Sequence, residues 1–199
     1  MSTDTQTLVA ALGRWADRME VAAPELNALD GQLGDGDLGA TLSKCAVNVR
    51  TAMAPPPADI QGVFKACAIA CTKASGSSLG TLLAVAFMTL TKETAGKAQI
   101  EDAEWPGLLA AVRDALSSRG GAKLGDKTVL DAIEAVRLGL GGAGPEGRLP
   151  AAKAALDAAI TEFRGRENKI GRARIFAERS RGLDDPGMIA ARHMLESVG

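Results

Sequence analysis

Residues 29–53 read LDGQLGDGDLGATLSKCAVNVRTAM, and the interpretation of the fold depends on this stretch. Its first eleven positions combine four glycines with three aspartates, which is typical of a sharply bent polar turn. From residue 40 to 53, apolar side chains recur at helical spacing, at Leu42, Cys45, Ala46 and Val49. Prolines 55–57 end this segment, because proline is not tolerated in a helix interior. The stretch therefore predicts a glycine-rich turn that leads into an amphipathic helix.

Seven further segments show helical signals on either side of this stretch. They are residues 5–21, capped by Ser2 or Thr3 and either closed or restarted at Pro24, the segment between Asp59 and 74, and residues 79–94, 105–118, 128–138, 150–163 and 186–198. The chain holds 37 alanines and 22 leucines but only four Phe, two Trp and no Tyr, which favours helix over sheet. No strand-like alternation and no repeat is visible. We expect one all-α domain over residues 1–199, an eight-helix antiparallel up-and-down bundle.

The connections between these helices alternate in character. Four of them are rich in glycine and polar residues, at 31–39, 74–78, 119–128 and 171–187, and plainer connections lie between them. Alternate connections of an up-and-down bundle lie at the same end, so these four are expected to form one site. The fourth helix, with the sequence LGTLLAVAFMTL, is apolar almost all round, which predicts a central position surrounded by the others.

Three carboxylates, Asp30, Asp35 and Asp37, lie within eight residues of the first polar turn. Like charges at this spacing need neutralisation, and a hard divalent cation such as Mg²⁺ is the simplest candidate. A calcium-binding EF-hand fits poorly, because position twelve of such a loop would be Thr41 or Ala46 instead of Glu. The GxGxxG pattern of dinucleotide folds also fits poorly, since no strand precedes it. A solvated acidic turn is the alternative interpretation.

The other polar connections give weaker signals. Residues 75–78 precede a helix, where free N–H groups either bind phosphate or form an ordinary cap. GAKLGDKT at 121–128 resembles a phosphate-binding P-loop but fails its pattern, because Asp126 separates Gly125 from Lys127 and no strand precedes it. It remains a candidate nucleotide loop. The arginines of the last connection suit either phosphate binding or a solvated face. They are Arg172, Arg174, Arg179 and Arg181. For the single histidine, His193, we expect a surface or helix-end role.

Composition excludes several classes of partner. The net charge of −1 predicts no attraction to nucleic acid or to anionic membranes. No apolar run approaches the ~18 residues of a membrane span, and the acidic N-terminus does not resemble a signal peptide. Cys45, Cys67 and Cys71 lie in apolar contexts that are typical of buried, reduced thiols. A cytoplasmic protein is expected.

Four ordered motifs resemble the nucleotide-binding L subunits of dihydroxyacetone kinases, the DAK2 domain family. They are LDGQLGDGDLG, ASGSSLGT, RGGAKLGDKTVLDA and GRARIFAERSRGLDDPG, and together they span nearly the whole chain. The resemblance implies an eight-helix barrel that holds ADP or ATP through two Mg²⁺ ions bound by Asp30, Asp35 and Asp37. It also implies nucleotide contacts at Leu38, Gly39, Ala40, Thr41, Ser75, Gly76, Ser77, Ser78, Gly120, Gly121, Val129, Arg179, Asp185, Pro186 and Gly187.

The resemblance further implies phosphoryl transfer to dihydroxyacetone or a related short-chain ketose, held by a separate K-type subunit. Family members either exchange ATP or keep ADP bound and receive phosphate from an M-type phosphocarrier, and the sequence leaves both open. Leu38 stands where the family commonly has His, and Val129 replaces a common Met. The first difference suggests a different sugar, such as a four-carbon ketose, or a different phosphoryl donor.

Two other functional classes stay open. A nucleotide-sensing regulator would use the same bundle to bind ADP and report it to a partner without phosphoryl transfer. A lipid-binding helical barrel would account for the apolar fourth helix, but it would leave the three aspartates unexplained.

Overall fold

The computed structural model describes residues 2–74 and 78–198, and most of this part of the chain is α-helical. Its α-helices are α1 (Thr5–Asp30), α2 (Leu38–Ala52), α3 (Ile60–Ala74), α4 (Ser78–Glu93), α5 (Trp105–Gly120), α6 (Val129–Gly141), α7 (Arg148–Arg164) and α8 (Pro186–Glu196). Two short strands, β1 (Ser2–Asp4) and β2 (Gln99–Glu101), and the 3₁₀ segments Asp102–Glu104, Pro145–Gly147 and Arg172–Ser180 complete it.

The eight α-helices form a closed antiparallel ring. Each helix packs on the helix that precedes it and on the helix that follows it, and α8 packs back on α1. The side chains directed into the ring are the apolar positions of each helical period, among them Met19, Leu42, Phe64, Leu156 and Ile189, all at most 2% exposed. The predicted all-α, eight-helix up-and-down architecture is confirmed.

Two glycines allow neighbouring helices to approach closely. A Cβ atom at Gly39 of α2 would lie 2.0 Å from the carbonyl oxygen of Ala23 in α1. At Gly139 of α6, a Cβ would lie 2.6 Å from the Cα of Ala152 in α7. Because any larger residue would push these backbones apart, the two glycines set the spacing of two helix pairs.

The first helix differs from the prediction at both ends. Ser2 and Thr3 belong to β1, and the side chain of Asp4 caps α1 by accepting the N–H of Thr7 at 2.8 Å. Pro24 lies inside α1, which continues to Asp30. Pro24 has no N–H group and cannot donate a helical hydrogen bond. Burial of Leu26 on the same face as the preceding core residues offsets this loss of stability.

The expected central position of the fourth helix is wrong. A closed ring has no central helix, and α4 lies in the wall between α3 and α5. Among its residues only Gly80 and Thr91 are buried, whereas Leu83 and Phe87 are partly buried against the core. A short antiparallel ribbon accompanies the helices, in which Thr3 of β1 pairs with Ile100 of β2. A three-residue strand is too short to show alternation in the sequence.

The single histidine and the cysteines lie in the interior. His193 is in the last turn of α8, as expected, but it is buried instead of exposed, and its Nε2 lies 2.9 Å from a carboxylate oxygen of Glu25. Cys45, Cys67 and Cys71 are buried free thiols, as predicted. Within residues 2–74 and 78–198, no helix has the length and apolarity needed to cross a bilayer.

Candidate functional site

One end of the ring carries a cavity of about 480 Å³. The helices alternate in direction, so the ends of α1, α3, α5 and α7 and the beginnings of α2, α4, α6 and α8 meet there. Residues within 30–38, 78–82, 116–130 and 168–187 line the cavity. The prediction that the four polar connections share one end is therefore confirmed for their described residues.

Three aspartates lie together at one side of this cavity. Asp30 is the last residue of α1, Asp37 directly precedes α2, and Asp35 lies in the turn between them. One carboxylate oxygen from each lies within 4.8 Å of the other two. Gly36 has φ +73°, and a Cβ at Gly34 would lie 2.5 Å from a carboxylate oxygen of Asp30, so glycine is required at both turn positions.

An asparagine leaves the Asp37 carboxylate free of a capping role. The side chain of Asp37 makes no hydrogen bond to the first turn of α2, although aspartate at this position usually does. The amide oxygen of Asn27 accepts the N–H of Ala40 at 3.1 Å instead, and the carbonyl oxygen of Asp37 accepts the N–H of Thr41 at 2.9 Å. Leu38 and Gly39 are therefore the residues of this turn whose N–H groups are best placed for an external anion.

The chemistry of this cluster fits a hard divalent cation. Three carboxylates supply only oxygen ligands, which Mg²⁺ prefers. Among the described residues, neither Asp30 nor Asp37 forms an ion pair with a basic side chain. A cation between the carboxylates would offset the repulsion between Asp30 and Asp37.

The opposite half of the cavity is apolar. Its walls come from the first turns of α4, the end of α5 and the residues after it, the start of α6 and the connection before α8. They include Leu82, Leu116, Ala122, Val129, Ile170 and Ala173. Gly187 lies against Val129, because a Cβ built on this glycine would be 3.5 Å from the Cβ of Val129. A flat, largely apolar group fits between such walls, while a charged group at its other end would reach the aspartates.

Asp185 is the acidic residue of this apolar half. One of its carboxylate oxygens accepts the N–H of Met188 at 2.9 Å and caps α8, and the other accepts the side-chain amide of Asn168 at 2.9 Å. Burial raises the pKa of Asp185 to about 6, although both hydrogen bonds act in the opposite direction.

Residues 165–185 form a strap between α7 and α8 that covers the apolar half. Arg164 and Asp184 join its two ends through a bidentate ion pair, with N–O distances of 2.7 and 2.9 Å. The N–H of Gly182 donates to the carbonyl oxygen of Arg164 at 2.8 Å, and the N–H of Lys169 donates to the carbonyl oxygen of Asp126 at 3.1 Å. The strap is therefore tied both to itself and to the loop that precedes α6.

The structure places the predicted nucleotide-contact residues at different distances from the cavity. Those that line it are Leu38, Ser78, Gly120, Val129, Asp185, Pro186 and Gly187. Gly39 and Gly121 adjoin lining residues, and Ala40 and Thr41 follow in the first turn of α2 without lining the cavity. The guanidinium of Arg179 lies 5.1 Å from the ring centre of Phe176 on the exposed side of the strap. Ser75, Gly76 and Ser77 lie outside the described residues.

Sequence reasoning missed three polar residues of the site. Asn27 caps α2, Asn168 joins the strap to Asp185, and Lys127 is buried between the strap and α6. Lys127 belongs to the GAKLGDKT segment, which the sequence indicates as a candidate nucleotide loop without assigning a role to this lysine. The asparagines carry no sequence signal, because a single amide in a helix or a loop is common on any protein surface.

Comparisons with known proteins agree with this geometry. The DAK2 domain family matches residues 32–199. The PTS-dependent dihydroxyacetone kinase, ADP-binding subunit DhaL, of Lactococcus lactis subsp. lactis (strain IL1403) is 27% identical over 193 residues, which are 96% of this chain and 95% of that protein. The D-erythrulose kinase of Mycolicibacterium smegmatis (strain ATCC 700084 / mc(2)155) is 34% identical over 191 residues, covering 89% of this chain but 32% of the kinase.

Solved structures show the same fold. The native dihydroxyacetone kinase of C. freundii matches 96% of this chain with a TM-score of 0.77 at 23% identity, and this chain spans 33% of that one. The same kinase in complex with AMP-PNP and Mg²⁺ matches with a TM-score of 0.73 at 20% identity, over 99% of this chain and 34% of that one. With the family match over most of its length, this chain belongs to the DAK2 domain family.

Proposed function

We propose that this chain is the Mg²⁺–nucleotide-binding subunit of a dihydroxyacetone-type kinase, acting in the cytoplasm. It binds ADP or ATP and supports transfer of a phosphoryl group to dihydroxyacetone or a related short-chain ketose held by a separate K-type subunit. The observation that carries the proposal is one cavity with three clustered carboxylates at one side and an apolar slot at the other. Its volume of about 480 Å³ lies in the usual range of small-molecule sites, ~300–1,000 Å³.

The two halves of the cavity match the two halves of a nucleotide. The apolar slot between Val129 and Ile170 suits a purine ring. Asp30, Asp35 and Asp37 lie where the phosphates of such a ligand would point, and they would hold two Mg²⁺ ions between themselves and the phosphates. When bound, Mg²⁺ offsets charge on a transferring phosphoryl group. In solution, carboxylates and phosphates repel one another, so nucleotide binding should require the metal.

The chain's own residues position and shield the nucleotide. The carboxylates orient the phosphate end, the N–H groups of Leu38 and Gly39 face the same region, and the strap excludes water from the base. No base catalyst is needed in this scheme, because phosphoryl transfer depends mainly on positioning and charge compensation. The C. freundii kinase bound to AMP-PNP and Mg²⁺ supports this assignment through its shared fold.

The separate K-type subunit is supported by the relative named as an ADP-binding subunit, which this chain matches over nearly its full length. The D-erythrulose kinase supports a four-carbon ketose as an alternative acceptor. In one version of the reaction, ATP is exchanged at each turnover. In the other, ADP stays bound and is rephosphorylated by an M-type phosphocarrier.

The test is a coupled assay of ketose phosphate formation with this chain alone, a K-type subunit alone, and both together. Dihydroxyacetone and erythrulose are each tried as acceptors, with ATP or with an M-type phosphocarrier system as donor. We expect product only when both subunits are present. Turnover by this chain alone, unchanged on adding the K-type subunit, would overturn the two-component proposal.

Calorimetry with ADP tests the metal requirement separately. Binding should be tight with Mg²⁺ and lost with excess EDTA, and equal affinity in the two conditions would contradict the proposed site. Nucleotide-dependent binding to a partner without any phosphoryl transfer would instead support the nucleotide-sensing regulator.

A further inference from the structure

Lys127 is a fully buried lysine, with 0% of its surface exposed. Its ammonium donates hydrogen bonds to the backbone carbonyl oxygens of Ser180 at 2.7 Å, Arg166 at 2.8 Å and Arg164 at 3.4 Å. An ammonium has three N–H donors, so each of them has a carbonyl acceptor. Because all three donors are bonded to backbone carbonyls, this ammonium is not available to a phosphate group, although the residues around Lys127 resemble a phosphate loop.

The three carbonyls belong to residues in or next to the two ends of the strap. Arg164 and Arg166 lie where the strap leaves α7, and Ser180 lies near its return to α8. Between these two points run Ile170 and Ala173, which line the apolar half of the cavity. Because the ammonium bonds to residues at both ends of the strap, it closes the loop that forms this wall of the cavity.

The backbone of Lys127 continues into the opposite wall. Thr128 and Val129, the next two residues, line the cavity and begin α6. The carbonyl oxygen of Lys127 accepts the side-chain amide of Asn168 at 2.8 Å, and the same amide donates to Asp185 at 2.9 Å. The N–H of Asn168 donates in turn to the hydroxyl of Ser180 at 2.9 Å. One residue therefore connects the two walls of the slot.

The conformation and environment of Lys127 are both unfavourable in isolation. Its φ of +62° lies in the left-handed region, which residues with a Cβ rarely adopt. Burial lowers the pKa of its ammonium, while the charges of Asp185 and Asp184 act in the opposite direction. A buried charge and an unfavourable backbone conformation both cost free energy, so they persist only where hydrogen bonds offset that cost. Their combination at Lys127 indicates a specific role.

We propose that Lys127 is a positioning residue that holds the strap against the start of α6 and sets the width of the slot for the nucleotide base. It acts on the base through Ile170, Ala173 and Val129 and makes no phosphate contact. This inference rests on the proposed function, because it takes a Mg²⁺-bound nucleotide as the ligand.

The experiment compares Lys127→Met with Lys123→Met, which removes an exposed lysine from the same loop. Calorimetry measures the affinity for ADP and for inorganic pyrophosphate, each with Mg²⁺. We expect Lys127→Met to weaken ADP binding at least tenfold while changing pyrophosphate binding less than twofold, and Lys123→Met to change neither. An equal loss for both ligands would assign Lys127 to the phosphates and overturn the proposal, as would unchanged ADP affinity.

Amide hydrogen exchange of the nucleotide-free protein gives a second measurement that needs no ligand. In Lys127→Met, the amides of Lys169 and Gly182 should exchange at least tenfold faster, while amides of α2 and α3 keep their rates. Unchanged exchange in the strap would also overturn the proposal. If wild-type protein fails to bind ADP with Mg²⁺, the proposed function is rejected and this exchange measurement alone decides whether Lys127 holds the strap.

Asn168→Ala is the alternative variant for both measurements if Lys127→Met does not fold. It removes the amide that joins the Lys127 carbonyl to Asp185 and leaves the ammonium in place. The same selective loss of ADP affinity and faster strap exchange are expected, in smaller degree. Wild-type values for both would contradict the proposed connection between the two walls.

Discussion

The backbone N–H of Asp37 donates a hydrogen bond to a carboxylate oxygen of Asp30, 3.1 Å away. This bond joins the start of α2 to the end of α1 and closes the turn that contains Asp35. It also keeps the carboxylates of Asp30 and Asp37 close together, because the turn cannot open without breaking this hydrogen bond. The turn therefore holds negative charges close together, and a cation bound there would offset their repulsion.

Replacing Asp37 with Asn should weaken Mg²⁺-dependent ADP binding at least tenfold, or about 1.4 kcal/mol. The amide keeps the shape of the carboxylate but removes the charge that attracts the metal. Because repulsion with Asp30 and Asp35 is also removed, the free energy of unfolding without metal should stay the same or rise by about 1 kcal/mol at most. Calorimetry and urea denaturation measure the two effects.

Asp157→Asn is the matched control, because Asp157 is an exposed aspartate on α7. It should leave both ADP affinity and stability at wild-type values. If Asp37→Asn kept wild-type ADP affinity, the metal would have to bind outside this turn.

Gly39→Ala should destabilise the protein by about 1–3 kcal/mol or more. The new methyl group would lie 2.0 Å from the carbonyl oxygen of Ala23, so α1 and α2 would have to separate. Gly13→Ala, at a position of α1 where the new methyl would meet no atom within 4 Å other than the neighbouring backbone of its own helix, should instead stabilise by about 0.5–1 kcal/mol. Urea denaturation compares the variants, and equal effects from both would refute the close approach of α1 and α2.

Asp185 should make stability fall as pH rises from about 4 to about 6. Its pKa is raised from the ordinary value of 3.8 to about 6, so in this window the folded protein keeps a proton that the unfolded chain has lost. The folded state then binds more protons than the unfolded state, and the free energy of unfolding decreases with pH, by up to about 3 kcal/mol.

Asp185→Asn should remove this contribution, since an amide accepts the N–H of Met188 but does not ionise. The measurement is urea denaturation of both proteins at pH 4, 5, 6 and 7. Stability of the variant relative to wild type should rise across the window and level off above pH 6. Parallel pH profiles would mean that Asp185 ionises normally.

Ile175→Asp should slow the two-component reaction at least fivefold at limiting K-type subunit and leave ADP affinity within twofold of wild type. Ile175 is 78% exposed on the strap, outside the cavity, and its burial against a docked K-type subunit would supply an apolar contact that aspartate removes. Leu138→Asp is the control, because Leu138 is 56% exposed near the end of α6, which lies at the opposite end of the ring. Equal rates for the two variants would exclude the strap from docking.

The sequence alone determined the features that depend on neighbouring residues. The period of apolar side chains predicted the helices, glycine and proline predicted the turns, and the alternation of polar connections predicted that they meet at one end. The clustering of Asp30, Asp35 and Asp37 also followed from the sequence, since residues within eight positions on a glycine-rich turn cannot lie far apart. These are short-range effects, and local conformational preferences are enough to specify them.

Only the tertiary structure decided the features that depend on distant partners. The continuation of α1 through Pro24 depends on packing against the core, and the position of α4 in the wall depends on α8 closing the ring onto α1. The burial of Lys127 depends on the carbonyl of Ser180, 53 positions away. A lysine in a glycine-rich loop is ordinarily solvated, and only the hydrogen bonds to three backbone carbonyls at the two ends of the strap make its burial favourable.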